Sequence, residues 1–245
     1  MAKAARKPKQ TRNPRRHLPR PEMSDGLHEL VRDHHRRSDK PFEPKTPRQA
    51  DYAQSISTNV LTFGVGPAGT GKTFIAVVHA AMALVAGEVD EIVFTRPAQE
   101  AGEELGFLPG EIEEKVAPWF APLRIELEKR LGKSPVEHMI KVGKIRFMPF
   151  AFMRGHSLNN AFIVLDEAQN TTPKQMELLL SRVGEGSIVV VDGDLRQQDT
   201  AGRSGLEDAL WRFADKPGVG VVEFQLDDIV RSGFCRMVIE SYRDK

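Results

Sequence analysis

Cysteine is almost absent from this sequence, in which Cys235 is the single one among 245 residues. One thiol cannot form an intrachain disulfide, and it cannot supply a cysteine-based metal site. An intrachain disulfide and a cysteine-based metal site are therefore both excluded. Because structural disulfides are typical of oxidising compartments, their exclusion fits a cytoplasmic protein.

Long apolar runs and an excess of one charge are also lacking. No run of about 18 apolar residues occurs, so we expect no membrane span. The pair Arg15-Arg16 is not followed by an apolar segment, which argues against an export signal. The formal net charge is +1 and, taken as a whole, indicates no class of partner.

The basic residues are concentrated near the start of the sequence. Residues 1–20 contain many lysines and arginines and no acid, and residues 1–45 lack apolar periodicity. We therefore predict a mostly disordered tail over 1–45, with a short helix at 25–35, followed by one folded domain over 46–245. The tail has the charge to bind RNA or DNA, and a merely solubilising arm is the alternative.

Strand and helix patterns alternate through the rest of the chain. Apolar runs predict strands at 59–65, 91–97, 144–150, 161–169, 186–194 and 219–226. Helical patterns lie at 73–87, 111–132, 172–184, 204–215 and 233–245, and Pro118 and Pro122 predict a kink or two short helices in the second of these. Apolar strands alternating with helices predict an α/β fold with a parallel sheet covered on both faces.

The segment "GPAGTGKT" lies between the first predicted strand and the first long helix. Gly66, Gly71, Lys72 and Thr73 match the phosphate-binding loop, in which backbone N–H groups and a helix N-terminus surround phosphates. Lys72 would contact the β- and γ-phosphates and Thr73 would bind Mg²⁺. The residues predicted to contact the nucleotide here are Gly66, Pro67, Ala68, Gly69, Thr70, Gly71, Lys72, Thr73 and Phe74.

Two acidic residues follow the fourth predicted strand, in "FIVLDEAQ". A carboxylate at a strand end holds Mg²⁺ in proteins with this loop, which suits Asp166. The second carboxylate, Glu167, could take the proton of an attacking water and so favours a hydrolase over a small-molecule kinase. Two acids capping the next helix are the structural alternative.

Three further residues are weaker candidates for nucleotide contacts. Gln197, in "GDLRQQD" after the fifth strand, could sense the γ-phosphate. Gln49 could read the edge of adenine, and Tyr52 could pack on the base. Tyr52 is equally compatible with a core position, and Gln49 with an exposed one.

The order of these motifs resembles the first motor domain of superfamily 1 helicases. "GPAGTGKT", "TRPAQEAGEELGFLPGEIEEKV", "FMRGHSLNNAFIVLDEAQN", "GDLRQQD", "SGLEDAL" and "DDIVRSGF" together resemble the PhoH family of ATPases, over about residues 45–243. The resemblance implies a RecA-like P-loop NTPase domain that binds ATP and Mg²⁺, with a link to RNA and assembly into rings. The resemblance also implies that Arg231 acts as an arginine finger, in cis or from a neighbouring subunit. A salt bridge from Arg231 to Asp227 or Asp228 is the alternative. Gln99, His156 and Ser232 depart from the family pattern.

Nucleic acid would bind at the carboxyl ends of the strands. Arg96, at the end of the second predicted strand, is a candidate there for a phosphate contact, and Arg154 in "FMRGHS" is a second candidate for such a contact. A superfamily 1 helicase grips its strand between two motor domains and this chain has room for one, so motor activity would need a homo-oligomer, for which a hexameric ring is expected. A nucleotide-gated nucleic-acid-binding protein without strand-separating activity is the alternative function.

Overall fold

The computed structural model describes residues 42–97 and 112–243. The predicted tail up to residue 41, with its helix at 25–35, lies outside the described residues. So does the segment 98–111, which contains Gln99. Phe42 already packs against the core, so the folded unit includes residues just before the predicted boundary at 46.

All six predicted strands are present, and each is shorter than predicted. They are β1 (Leu61–Val65), β2 (Glu91–Thr95), β3 (Ile145–Phe147), β4 (Ala161–Leu165), β5 (Ile188–Gly193) and β6 (Val219–Glu223). The helices are α1 (Pro47–Thr58), α2 (Lys72–Val85), α3 (Ile112–Leu131), α4 (Lys133–Lys141), α5 (Pro173–Leu180), α6 (Gly205–Phe213) and α7 (Gly233–Arg243). The sequence did not predict α1 or α4. No helix within the described ranges is long and apolar enough to span a membrane.

The strands form one sheet in the order β3-β2-β4-β5-β1-β6, and every pair is parallel. The predicted α/β class with a parallel sheet is therefore confirmed. Since β5 lies between β1 and β4, the loops that follow these three strands meet at the carboxyl edge of the sheet. The motif residues at the ends of β1, β4 and β5 are brought together in this way.

Both faces of the sheet are apolar and covered. Along β4, Phe162 and Val164 point into one core with α1, α2, α3 and α4, whereas Ile163 and Leu165 point into a second core with α5 and α6. This alternation between two buried faces explains why the strands are continuous apolar runs.

Helix α3 is uninterrupted, so the prediction of two short helices is wrong. Pro118 and Pro122 both lie inside this 20-residue helix. An internal proline costs about 3 kcal/mol. The helix buries Phe120, Leu123, Leu127 and Leu131 at spacings of three and four residues, and this burial outweighs the cost.

Candidate nucleotide-binding site

The phosphate-binding loop connects β1 to α2 and depends on its glycines. Gly66, Gly69 and Gly71 have φ values of 136°, 84° and 90°, a region that side chains with a β-carbon rarely adopt. A β-carbon on Gly66 would also overlap the carbonyl oxygen of Phe224. The loop conformation therefore requires glycine at these positions.

Neighbouring segments fix the loop from several sides. The Gly66 N–H donates to the Gly193 carbonyl at 3.0 Å, and the Val230 N–H donates to the Gly69 carbonyl at 3.0 Å. Gln49 Nε2 donates to the Thr70 carbonyl at 2.8 Å. The end of β5, the segment between β6 and α7, and helix α1 thus hold one loop conformation.

Lys72, the first residue of α2, folds back over the loop. Its Nζ donates to the carbonyls of Gly66 at 2.7 Å and Pro67 at 2.8 Å. Burial lowers the pKa of Lys72, and the nearby carboxylates of Asp192 and Asp194 oppose this shift. The cation is therefore poorly solvated, and an anion on the loop would stabilise its charged form.

Thr73, the second residue of α2, contacts Asp166, which directly follows β4. The Thr73 hydroxyl donates to Asp166 Oδ1 at 2.9 Å. Burial and the neighbouring Glu167 raise the pKa of Asp166, against the lowering effect of Arg96. One hydroxyl and one carboxylate beside a phosphate site are hard oxygen ligands that fit Mg²⁺, which takes few protein ligands alongside phosphates.

Glu167 has a left-handed backbone, with φ 53°. Its Oε1 accepts from Arg96 Nη2 at 3.2 Å, and its Oε2 accepts from Gln169 Nε2 at 2.7 Å. The strained backbone and the two donors fix the carboxylate beside Asp166, as a water-activating group requires.

Gln169 was missed by sequence reasoning, although it belongs to the quoted "DEAQ" motif. It is fully buried, and its Oε1 accepts from the Asp194 N–H at 3.1 Å. Gln197 Nε2 in turn donates to Asp194 Oδ2 at 3.1 Å. Gln169 therefore connects Glu167 to the loop that carries Gln197.

Arg231 lies beside the phosphate-binding loop, with its side chain against Gly69. The alternative of a salt bridge is not formed: Asp227 pairs with Arg236 at 2.6 Å, and Asp228 Oδ2 accepts from the Gln225 N–H at 2.8 Å. Arg231 is exposed and borders the pocket. Its role as an arginine finger stays a prediction.

These residues surround one pocket of about 830 Å³. The predicted site residues that line it are Gln49, Ala68, Gly69, Gly71, Lys72, Thr73, Phe74, Arg96, Asp166, Glu167, Gln197 and Arg231. Arg154 is not among the pocket residues and is exposed, so its contact with nucleic acid remains a prediction. Arg96, predicted to contact nucleic-acid phosphate, lies in the pocket and pairs with Glu167.

Tyr52 does not reach the pocket, and its predicted contact with the base is wrong. Its ring is fully buried in the core, against Phe224, and its hydroxyl donates to Asp192 Oδ1. Asp192 is buried as well, and its Oδ2 has no hydrogen-bond partner among the described residues. Tyr52 thus has the core position that the sequence left open.

The raised pKa of Asp192 predicts that the free energy of unfolding depends on pH. Burial raises its pKa from 3.8 to about 8, against the lowering effect of the Tyr52 hydrogen bond, while Asp166 adds to the rise and Lys72 opposes it. Between about pH 4 and pH 8 the folded protein holds this proton and the unfolded chain does not, so stability falls as pH rises through that window.

Replacing Asp192 by asparagine should remove this pH dependence, because the amide stays neutral. We expect the free energy of unfolding of Asp192→Asn, relative to the unsubstituted protein, to increase from pH 5 to pH 8. Urea unfolding at the two pH values measures it, and the other titrating groups cancel in the difference. An unchanged difference would show that Asp192 is already ionised in the folded protein.

The PhoH-like protein family model matches residues 41–243. The chain is 44% identical over 205 residues to the PhoH-like protein of Bacillus subtilis, covering 83% of this chain and 64% of that protein. It is 43% identical over 210 residues to protein PhoH of Escherichia coli K12, covering 84% of this chain and 59% of that protein. The chain thus spans about 60% of the length of these relatives.

Likenesses to solved structures are more distant. The large terminase of a thermophilic bacteriophage, in complex with ADP, is 14% identical with a TM-score of 0.48, covering 83% of this chain and 50% of that one. The Pif1 helicase of Candida albicans is 14% identical with a TM-score of 0.38, covering 75% and 40%. The family model and the relatives decide the assignment, and the chain belongs to the PhoH family.

Proposed function

We propose that the chain is a Mg²⁺-dependent ATPase of the PhoH type that acts on or with single-stranded RNA or DNA as an oligomeric ring. The contact between Thr73 and Asp166 carries the proposal. It joins the phosphate-binding loop to the end of β4, where Glu167 follows directly. A phosphate site, a cation site and a candidate base therefore lie together.

Binding of ATP would exchange the interactions of Lys72. Its Nζ would leave the Gly66 and Pro67 carbonyls for the β- and γ-phosphates, whose charge is a stronger partner. Thr73 and Asp166 would hold Mg²⁺, which supplies charge neutralisation at the phosphates. Loop N–H groups and the N-terminus of α2 would bind the remaining phosphate oxygens.

Glu167 would accept the proton of the attacking water, and Gln197 would contact the γ-phosphate. Gln169 bonds to both Glu167 and the Asp194 backbone, and Gln197 bonds to the Asp194 side chain. A shift of Gln197 when the γ-phosphate leaves would therefore move Glu167 through these hydrogen bonds. Hydrolysis and loop position would be coupled by this connection.

Nucleic acid would bind at the carboxyl edge of the sheet. Arg96 follows β2 there, and its guanidinium pairs with Glu167. A nucleic-acid phosphate at Arg96 would compete with Glu167 for this cation, which links binding of the polymer to the candidate base. Arg154, which is exposed in the connection between β3 and β4, is the second candidate.

Helix α7 supports assembly of several copies. Phe234 is 72% exposed and Tyr242 is 83% exposed, and Met237 is exposed on the same helix. Apolar side chains at this spacing form one face, as in helices that pack on a partner. Arg231 directly precedes α7, so a copy docked on this face would lie close to the pocket.

The test combines enzymology with mass measurement. Phosphate release from ATP and Mg²⁺ is followed with and without single-stranded RNA, while light scattering gives the assembly mass. We expect a multi-subunit mass and RNA-stimulated hydrolysis, and both should be lost in Phe234→Ser. A monomer that hydrolyses ATP with RNA stimulation would contradict the ring, and RNA binding without hydrolysis would favour the accessory function.

A further inference from the structure

The lining of the pocket combines polar and apolar side chains. Asp166, Glu167 and Gln197, from the segments after β4 and β5, are among its charged and polar members. Its large apolar side chains include Phe42, Phe74, Pro122 and Ile125, and their sequence neighbours Glu43 and Glu126 line the pocket as well.

Phe74 and Phe42 form an open aromatic pair. Phe74, in the first turn of α2, is 46% exposed although it lines the pocket. Its ring centroid lies 6.3 Å from that of Phe42, with the planes inclined by 50°. His79 packs edge-on against Phe42 at 5.8 Å and supports its ring. The two rings therefore line the cavity as a tilted aromatic contact in which part of Phe74 stays exposed.

The direction of a bound nucleotide follows from the residues proposed for the phosphates and the cation, and this step rests on the proposed function. Thr73 and Asp166 would hold the cation and with it the outer phosphates. The ribose and base would then extend away from β4, past the first turn of α2. Phe74 lies in that turn and lines the pocket.

We propose that Phe42 and Phe74 form the base-binding subsite of this pocket and that it takes a purine base through its ring faces. Phe74 directly follows the phosphate-loop motif, and Phe42 belongs to no motif. The subsite takes the place of the contact with Tyr52, whose ring is buried in the core.

Gln49, predicted to read the edge of adenine, lines the same pocket. Its Oε1 accepts from the Lys45 N–H at 2.7 Å, and its Nε2 donates to the Thr70 carbonyl at 2.8 Å. Both ends of the amide are therefore engaged with backbone groups. Recognition through ring faces depends on ring size rather than on the pattern of the base edge, so purine triphosphates should bind more tightly than pyrimidine ones.

The test compares ligands with and without a base. Dissociation constants of ATP, CTP and inorganic tripolyphosphate are measured with Mg²⁺ by calorimetry for the unsubstituted chain, Phe74→Ala, Phe42→Ala and Phe74→Trp. Phe152→Ala is the matched control, because Phe152 is 42% exposed and does not line the pocket. Phe74→Ala should preserve folding, since alanine favours the helix.

We expect Phe74→Ala and Phe42→Ala to weaken ATP binding about tenfold, the scale of one base stacked on an aromatic ring. Tripolyphosphate binding should not change, Phe74→Trp should restore ATP binding, and Phe152→Ala should match the unsubstituted chain. Unchanged ATP affinity in both alanine variants, or an equal loss for tripolyphosphate, would overturn the subsite. These are binding measurements, so absent hydrolysis would count against the proposed function alone.

Discussion

Replacing Glu167 by glutamine should lower kcat for ATP hydrolysis by about 10²- to 10⁴-fold, the usual contribution of a general base. Glutamine has nearly the shape of glutamate, and its one oxygen can accept from Arg96 while the bond from Gln169 is lost. The phosphate-binding loop and the contact between Thr73 and Asp166 do not involve this side chain. The affinity for ATP should therefore be retained. Single-turnover phosphate release and a separate measurement of ATP binding check the two parts.

Glu88→Gln is the control for this substitution. Glu88 is an exposed carboxylate in the turn before β2 and does not line the pocket. Its variant should hydrolyse ATP at the unsubstituted rate. If Glu167→Gln also retained that rate, another group would have to activate the water.

Replacing Lys72 by alanine should weaken ATP binding by about 100-fold and abolish detectable hydrolysis. Hydrogen bonds to charged groups contribute about 1.5 to 3 kcal/mol each, and Lys72 would make such bonds to the β- and γ-phosphates. Lys72 Nζ donates to two carbonyls and forms no ion pair with a described residue, so the substitution breaks no salt bridge there. Calorimetry with ATP and Mg²⁺ measures the loss.

Lys141→Ala, at the exposed end of α4, controls for the removal of one positive charge. RNA binding by the Lys72→Ala variant distinguishes an ATPase acting on RNA from a protein that binds RNA without using ATP. A protein that binds RNA through its basic segment alone should keep this binding when ATP binding is lost. Unchanged ATP affinity in Lys72→Ala would show that the loop is not the nucleotide site.

The central part of the pocket was predictable because its chemistry ties residue type to spacing. Only glycine readily adopts the backbone that Gly66, Gly69 and Gly71 have, and a lysine and a hydroxyl must follow. Asp166 ends an apolar strand, where a cation ligand is expected. These residue types lie close together in short segments, so the sequence alone shows them.

The contacts that sequence reasoning missed join distant segments. Tyr52 lies 140 residues from Asp192, and nothing near Tyr52 indicates that its hydroxyl points into the core. Arg96 and Glu167 are 71 residues apart and meet because β2 pairs with β4. The order of strands in a sheet is not visible in the sequence, and the partner of Arg96 depends on that order.

The most direct test is the steady-state rate of phosphate release from ATP, with and without Mg²⁺, by the unsubstituted protein and by Glu167→Gln purified in parallel. We expect release that requires Mg²⁺ and nearly disappears in the variant. Equal rates in the two proteins, or no release by the unsubstituted protein while ATP still binds, would contradict this expectation.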